Sequence, residues 1–394
     1  MTSGATTSGR SAADLRYCVV GAGFTGAVIA RALAEAGLKT LVVDERPHAA
    51  GNCHTRRDPG TGVMTHVYGP HIFHTADERV WSYAQRFATM RPYRHRVHAT
   101  AQGAVYSLPI NLLTINQFFR TTLRPCEARA FVAAKASAIA APANFEQQAL
   151  AMVGEDLYRA FFRGYTIKQW GVAPDRLPAA ILKRLPLRFN YDDGYFAHPH
   201  QAIPEQGYTA MVEAILDTPN LELRLGARFE DLDETFAHVV YSGPLDRYFG
   251  YDLGRLGYRT LDFETFRAEG DFQGAAVMNY CDEDVPYTRV TEHKEFAPWE
   301  KDRFSRTICY REFSRFCGPD DVPFYPLRLA DEEALLHRYV ARANATAGVT
   351  FVGRLGSYRY LDMDVAIGEA LDAGEAMLSF IASGRPLPAF FVEP

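Results

Sequence analysis

Gly21, Gly23 and Gly26 stand at the spacing that grips a dinucleotide, in the run Gly21-Ala-Gly-Phe-Thr-Gly26. In such a GxGxxG run the first glycine makes a tight turn and the second lets backbone approach a pyrophosphate. The third lets a helix pack closely on a strand, with the phosphates at the helix N-terminus. A carboxylate about twenty residues on would take a ribose hydroxyl, and Asp44 and Glu45 stand there. The elements needed to position these groups are present in order. An apolar strand over 17–20 precedes the glycines, a helical run over 27–36 follows them, and a second strand over 40–43 delivers the acids. Strand, turn, helix, strand and acid in register predict a site for an ADP-containing cofactor.

The rest of the composition narrows the class. At 394 residues the chain exceeds one ordinary core, so two or three domains are expected. With 47% hydrophobic and 23% charged residues it reads as a globular protein, and a net charge of −5 argues against general nucleic-acid binding. No apolar run is long enough to span a membrane. The six cysteines are scattered without CxxC pairs, which fits a reducing cytoplasm better than disulfides or zinc. Residues 1–14 read as a disordered lead-in without the apolar core of a secretory signal.

Patterning along the chain predicts an α/β protein: a discontinuous Rossmann-like cofactor-binding domain with an inserted α-helical domain and an antiparallel β-sheet domain. The cofactor domain takes residues 15–75, 200–250 and 321–390. Residues 76–185 read as mainly helical with few strand signals, and 163–175 within them as a mobile, glycine-punctuated loop rather than a core helix. Residues 186–199 and 255–320 alternate polar and apolar types, as a one-sided antiparallel sheet would. A closing strand and helix near 350–381 completes the sheet begun at the N-terminus. No internal repeat is found.

Several motifs recur in a specific order: Tyr68-Gly-Pro-His-Ile-Phe-His-Thr75, Leu108-Pro-Ile-Asn111, Gly164-Tyr-Thr-Ile-Lys-Gln-Trp170, Lys183-Arg-Leu-Pro-Leu-Arg188, Pro286-Tyr-Thr-Arg289, and Gly353-Arg-Leu355 followed by Tyr358-Arg-Tyr-Leu-Asp-Met363. Through them the chain resembles the bacterial UDP-galactopyranose mutases from about residue 15 to 380. The resemblance implies a flavoenzyme that interconverts UDP-galactopyranose and UDP-galactofuranose, the latter a precursor of cell-surface glycans. It implies FAD that is active only when reduced and that undergoes no net redox change. It also implies flavin N5 attack on the anomeric carbon, a covalent flavin–galactose intermediate, and return of UDP after the ring recloses. A flavin reductant of unspecified identity, a homodimer and a cytoplasmic location complete the expectation.

By the same resemblance, Arg184 and Arg289 take the UDP diphosphate, where forked donors stabilise charge on a leaving phosphate. Tyr195, Tyr325 and Tyr360 surround it with hydroxyls. Phe161, Tyr165, Thr166 and Trp170 belong to the uracil and to the closing loop, and Asn279 and His95 to the sugar side. His95 stands where related sequences carry asparagine, so it would bring a pH dependence. For FAD, Gly21, Gly23, Phe24, Thr25 and Gly26 take the pyrophosphate and Asp44 the ribose, with Glu45 and Asn52 following by position. His71 and Ile72 lie against the ring system, His71 being assigned with the arginines to catalysis. Arg354, Leu361, Asp362 and Met363 close the flavin site at a helix N-terminus, and Arg259 is a further flavin candidate. Related sequences often read Gly-Gly-Asn where this chain has Ala50-Gly51-Asn52. His71 and His74 would need a third ligand or nearby carboxylates to suggest a metal, and none is assigned.

Two alternatives share the nucleotide fold. A flavin oxidoreductase of the amine-oxidase or desaturase kind needs an electron acceptor and an apolar substrate tunnel. A non-catalytic nucleotide-sugar sensor would tolerate loss of the arginines and of Trp170, all of which are present.

Overall fold

The computed structural model describes residues 16–394 except Leu185 and Leu329; the side chains of Lys183, Arg184, Ala330 and Asp331 are also outside the description. The expectation of a disordered lead-in over residues 1–14 falls outside the described residues.

Five strands form a wholly parallel sheet in the spatial order Leu221–Leu225, Thr40–Asp44, Arg16–Val20, Phe236–Tyr241, Val349–Phe351. Leu41, Val42 and Val43 of Thr40–Asp44 and Cys18 and Val19 of Arg16–Val20 are fully buried, as central strands covered on both faces require, while the edge strand Leu221–Leu225 alternates apolar and charged residues. On one face Val19, Val42 and Val240 pack against the helices Phe24–Glu35, Gly207–Leu216 and Met363–Ala382. On the other, Tyr241, Val349 and Phe351 meet Leu336 and Tyr339 of the helix Ala330–Asn344. The sheet draws its strands from widely separated parts of the chain, so the intervening segments are built onto it as insertions.

A second sheet has seven strands, in the order Tyr325–Pro326, Tyr258–Glu269, Arg306–Phe316, Arg289–Glu292, Val277–Tyr280, Val97–Ala101, Ala104–Leu108. Every pairing is antiparallel except that of Val277–Tyr280 with Val97–Ala101. Thus the stretch read as mainly helical contributes two strands of this sheet. Val97, Ala99 and Ala101 alternate inward, but the strand is short and its parallel partner, Val277–Tyr280, lies far along the chain. The helices Leu112–Phe119, Pro125–Lys135 and Phe145–Leu157 follow as the sequence predicts. They close over a core that includes Ile115, Val132, Leu157 and Phe161.

The segment read as a glycine-punctuated loop is helical. A π-helical turn, Tyr158–Arg163, runs into the helix Gly164–Trp170, which ends at Gly171. Non-local bonds account for this order. Lys168 Nζ reaches the carbonyls of Tyr280 and Asp282, both at 2.7 Å, and of Val285 at 3.0 Å.

Candidate active site

The glycine turn is held from three sides. Gly21 takes a φ of +102° at the end of the first strand, in the region where side chains strain the backbone. A Cβ on Gly26 would sit 2.0 Å from the Gly21 carbonyl oxygen, so helix and turn are in backbone contact. Asp44 accepts from Ala22 N–H at 2.8 Å and Arg46 N–H at 2.9 Å, one on each carboxylate oxygen. Asp44 therefore braces the turn. Glu45 is exposed, its carboxylate held by both Nη atoms of Arg247 at 2.9 Å, which lowers its pKa. The turn holding Asn52 packs against Gly23, with Ala50 N–H donating to Ala22 carbonyl at 2.8 Å. Ala50 keeps a φ of 72° here without a glycine's freedom, a conformation that costs an L-residue about 1 kcal/mol.

These features fit a bound dinucleotide. The helix Phe24–Glu35 opens at Gly23 with no side-chain cap and no acid in its first turn, leaving its N–H groups for a phosphate. The helix Met363–Ala382 opens at Asp362, which makes no capping bond. Arg354 lies just before that second helix, donating to the Leu361 and Phe324 carbonyls and lying 4.9 Å over the Tyr360 ring.

From Arg354 a continuous constellation runs to Arg289. Tyr360 stacks on Tyr325 with ring centroids 5.7 Å apart. Tyr325 and Tyr195 lie within electrostatic reach of Arg289, whose Nη2 donates to the Tyr165 hydroxyl. Burial opposes the Arg289 charge, but Glu312 and these tyrosines outweigh it and raise the pKa. Burial pushes the Tyr165 hydroxyl up to about 12, with Arg289 pulling the other way. Two buried polar atoms here have no hydrogen-bond partner among the described residues, Arg289 Nε and Asn279 Oδ1, on facing strands in direct register. Orphaned donors and acceptors side by side are what a polar ligand would satisfy.

Within electrostatic reach of Arg354, His71 Nδ1 lies 2.9 Å from the Gly69 carbonyl. Nδ1 must carry the proton there, which leaves Nε2 as an acceptor. Burial, helped by Arg354, pulls His71 down to about 4. Ile72 belongs to an apolar cluster with Val97, Val277 and Phe296, which Tyr195 and Phe196 border.

The remaining sequence-picked residues are more dispersed. Phe161 is buried in the helical core, edge-on to Tyr106 at 5.1 Å. Thr166 is buried and Trp170 half-buried at the border of that core. Arg259 is 1% exposed and grips the C-terminal end of the Gly164–Trp170 helix. Its Nε donates to the Gln169 carbonyl at 3.0 Å and its Nη2 to that of Lys168 at 3.3 Å. These contacts place Arg259 under the C-terminal end of the helix Gly164–Trp170. The Arg184 side chain lies outside the described residues.

The family model for UDP-galactopyranose mutase matches residues 160–360, and one for an NAD(P)-binding Rossmann-like domain matches residues 19–87. A probable UDP-galactopyranose mutase of Klebsiella pneumoniae is 57% identical over 376 residues, 95% of this chain and 97% of its own length. The chain belongs to the UDP-galactopyranose mutase family. It is accordingly an isomerase. A dTDP-fucopyranose mutase of Escherichia coli is 51% identical, covering 91% of this chain and 97% of that one. A crystal structure of reduced UDP-galactopyranose mutase shares the fold at a TM-score of 0.70 and 17% identity, covering 93% of this chain and 96% of that one.

Against this family background, two expectations change. His95 is 4% exposed among Tyr195, Phe196 and Phe296. Burial first, then Arg289 and His74, pulls its pKa down to about 3, which argues against the expected pH dependence near neutrality. His74 also does not lack company. Its Nδ1 lies 2.8 Å from His198 Nδ1, and Asp364 offers a carboxylate oxygen within 4.8 Å of both. That spacing between ring nitrogens is a hydrogen bond, one imidazole donating to the other. Sequence spacing missed the trio because His198 and Asp364 are distant in the chain. It also missed Glu312, which is 2% exposed beside Arg289.

The buried histidines have a consequence for stability. Burial holds His95 and His293 at about 3 and His71 and His238 at about 4, against about 6.5 in an unfolded chain. Between those values the unfolded state binds more protons, so stability is present above pH 6.5 and lost as pH falls. The slope is at most about 1.4 kcal/mol per pH unit for each such histidine. The melting temperature is expected to fall steadily from pH 7 to pH 5, above the range where most carboxylates titrate. A flat profile over that interval would contradict the neutral, buried assignment.

Proposed function

We propose that this member of the family interconverts UDP-galactopyranose and UDP-galactofuranose with reduced FAD. The observation that carries the reading is Arg289. Its charge is sustained in a half-buried site, one donor is orphaned, and hydroxyls of Tyr165, Tyr195 and Tyr325 stand around it. Such a fork favours a diphosphate most as it gains charge on leaving the sugar.

In this reading the glycine turn and the two helix N-termini hold FAD, with Asp44 toward the ribose and Glu45 beside it. When bound there, reduced FAD would supply the nucleophilic chemistry, through N5, for covalent catalysis at the anomeric carbon while UDP is the leaving group. Arg289, with Arg184, holds the departed UDP in place for its return. Tyr325, Tyr360 and Tyr195 orient the diphosphate, while Asn279 and neutral His95 meet the sugar. His71, fixed as an Nε2 acceptor, lies beside the flavin. Tyr165 stacks on uracil, Phe161 and Thr166 support the helix that bears it, and Trp170 shields the sugar from water.

Supply of galactofuranose to surface glycans, a homodimer, an outside flavin reductant and a cytoplasmic location belong to the same proposal. Among the described residues no helix is long and apolar enough to cross a membrane.

The fucopyranose mutase relative favours a second reading in which the substrate is a deoxythymidine-diphosphate sugar. Parallel assays of reduced protein with UDP-galactopyranose and dTDP-fucopyranose separate the two. A higher kcat/KM for the first is expected; a higher value for the second would overturn the choice of sugar. Replacing Trp170 by alanine is expected to weaken UDP-galactopyranose binding about tenfold by calorimetry, the scale of one lost aromatic contact. An unchanged Kd would return Trp170 to a packing role.

A further inference from the structure

Glu312 is a buried carboxylate that none of the roles above uses. It stands on the strand Arg306–Phe316, directly opposite Arg289 in the antiparallel ladder, and is 2% exposed. Its Oε1 lies 3.5 Å from Arg289 Nε and 3.4 Å from Thr288 Oγ1, which also donates to the Glu312 backbone carbonyl at 3.0 Å. Its Oε2 faces the other way, 3.7 Å from where a Cβ on Gly69 would be. Gly69 is the residue whose carbonyl receives His71 Nδ1–H. Glu312 therefore lies between the arginine of the diphosphate site and the turn that fixes His71.

The spacing of the pair carries the inference. At 3.5 Å, Nε and Oε1 attract as charges but make no hydrogen bond, and Arg289 Nε has no other acceptor among the described residues. A bidentate carboxylate, such as Glu45 gives Arg247, would occupy two of the donors in the fork. Glu312 instead offsets the cost of burying the guanidinium while leaving Nε, without a hydrogen-bond partner among the described residues, for a ligand. The same negative charge also weakens the hold of Arg289 on a diphosphate. That matters in a reaction whose leaving group must be gripped, let go and taken back, because uniformly tighter binding does not speed turnover.

We propose that Glu312 is a positioning residue that keeps Arg289 oriented and moderates its affinity for the UDP diphosphate. This rests on the reading of the site as a UDP-sugar site. Replacing Glu312 by glutamine preserves shape and removes the charge. The expected result is a UDP dissociation constant about tenfold lower by calorimetry on the flavin-loaded protein, with kcat and KM falling together as release of the UDP-sugar product slows. Glu312→Asp, which keeps the charge, is expected to leave the UDP dissociation constant within about threefold of the original. A role in folding alone would weaken UDP binding or leave it unchanged. Either result in Glu312→Gln, with melting temperature and flavin content retained, would overturn the proposal. If Glu312→Gln does not fold, a UDP affinity raised tenfold in Glu312→Asp would overturn it equally. Failure of the unaltered protein to bind UDP would instead remove the underlying UDP-sugar reading, and the proposal with it.

Discussion

Replacing Arg289 by alanine is expected to lower kcat/KM about a thousandfold while FAD stays bound. Loss of one preorganised donor to developing charge typically costs two to three orders of magnitude, or roughly 2.7–4 kcal/mol, and Arg289 offers a fork of donors. The alanine variant also leaves Glu312 buried without its counterion. Arg289→Lys separates the two effects. It keeps a positive charge near Glu312 but loses the planar fork, so its kcat/KM is expected to fall about a hundredfold with the melting temperature retained. Steady-state kinetics on both variants, with flavin content read from the absorbance spectrum, checks this. Near-normal turnover in either would take Arg289 out of the diphosphate site.

Replacing Gly26 by alanine is expected to yield protein that holds little or no flavin and is less stable than its parent. The new methyl carbon would be 2.0 Å from the Gly21 carbonyl oxygen and 3.2 Å from Val19. A backbone carbonyl cannot rotate aside as a side chain can, so the first strand and the helix must part. Overpacking of this kind costs about 1–3 kcal/mol, and here the strain falls on the turn that would meet the pyrophosphate. Gly37→Ala is the matched control. Gly37 also has a positive φ, of +84°, but nothing lies within 4 Å of its Cβ position. It is expected to lose a little stability and no flavin. Equal flavin content in Gly26→Ala and the parent would show that the close approach at this turn does not matter for the cofactor.

How much the sequence revealed depended on how local each feature is. The glycine turn was legible because its demands, positive φ at Gly21 and backbone contact at Gly26, fall on neighbouring residues and admit only glycine. The central strands of the parallel sheet were legible because two-sided burial writes continuous apolar runs. The division of labour between Asp44 and Glu45 was not. Two adjacent acids at a strand end look alike until the turn shows that Asp44 accepts from Ala22 and Arg46. The strands Val97–Ala101 and Ala104–Leu108 form a hairpin with each other, and the pairing that joins it to the sheet, Val97–Ala101 with Val277–Tyr280, was hidden because the two strands lie far apart along the chain.

Side-chain contacts between distant segments were the least legible. The helix Gly164–Trp170 read as a loop because its glycines are local, whereas the carbonyls that Lys168 holds are not. His95 looked like a titrating group because sequence gives the residue type and not its burial. Glu312 carried no motif of its own. Its meaning comes from lying across a ladder from Arg289, and register of that kind is set by the folded sheet.

The central claim is that this isomerase turns over a UDP-hexose with a flavin that is catalytic but not consumed. The most direct measurement is chromatographic conversion of UDP-galactofuranose to UDP-galactopyranose by the flavin-loaded protein, with and without dithionite, while consumption of reductant is followed. Many turnovers per flavin only under reduction, with no reductant consumed in proportion to product, is the predicted result. No conversion by the fully reduced, flavin-loaded protein, or consumption of one reductant per product, would contradict the account.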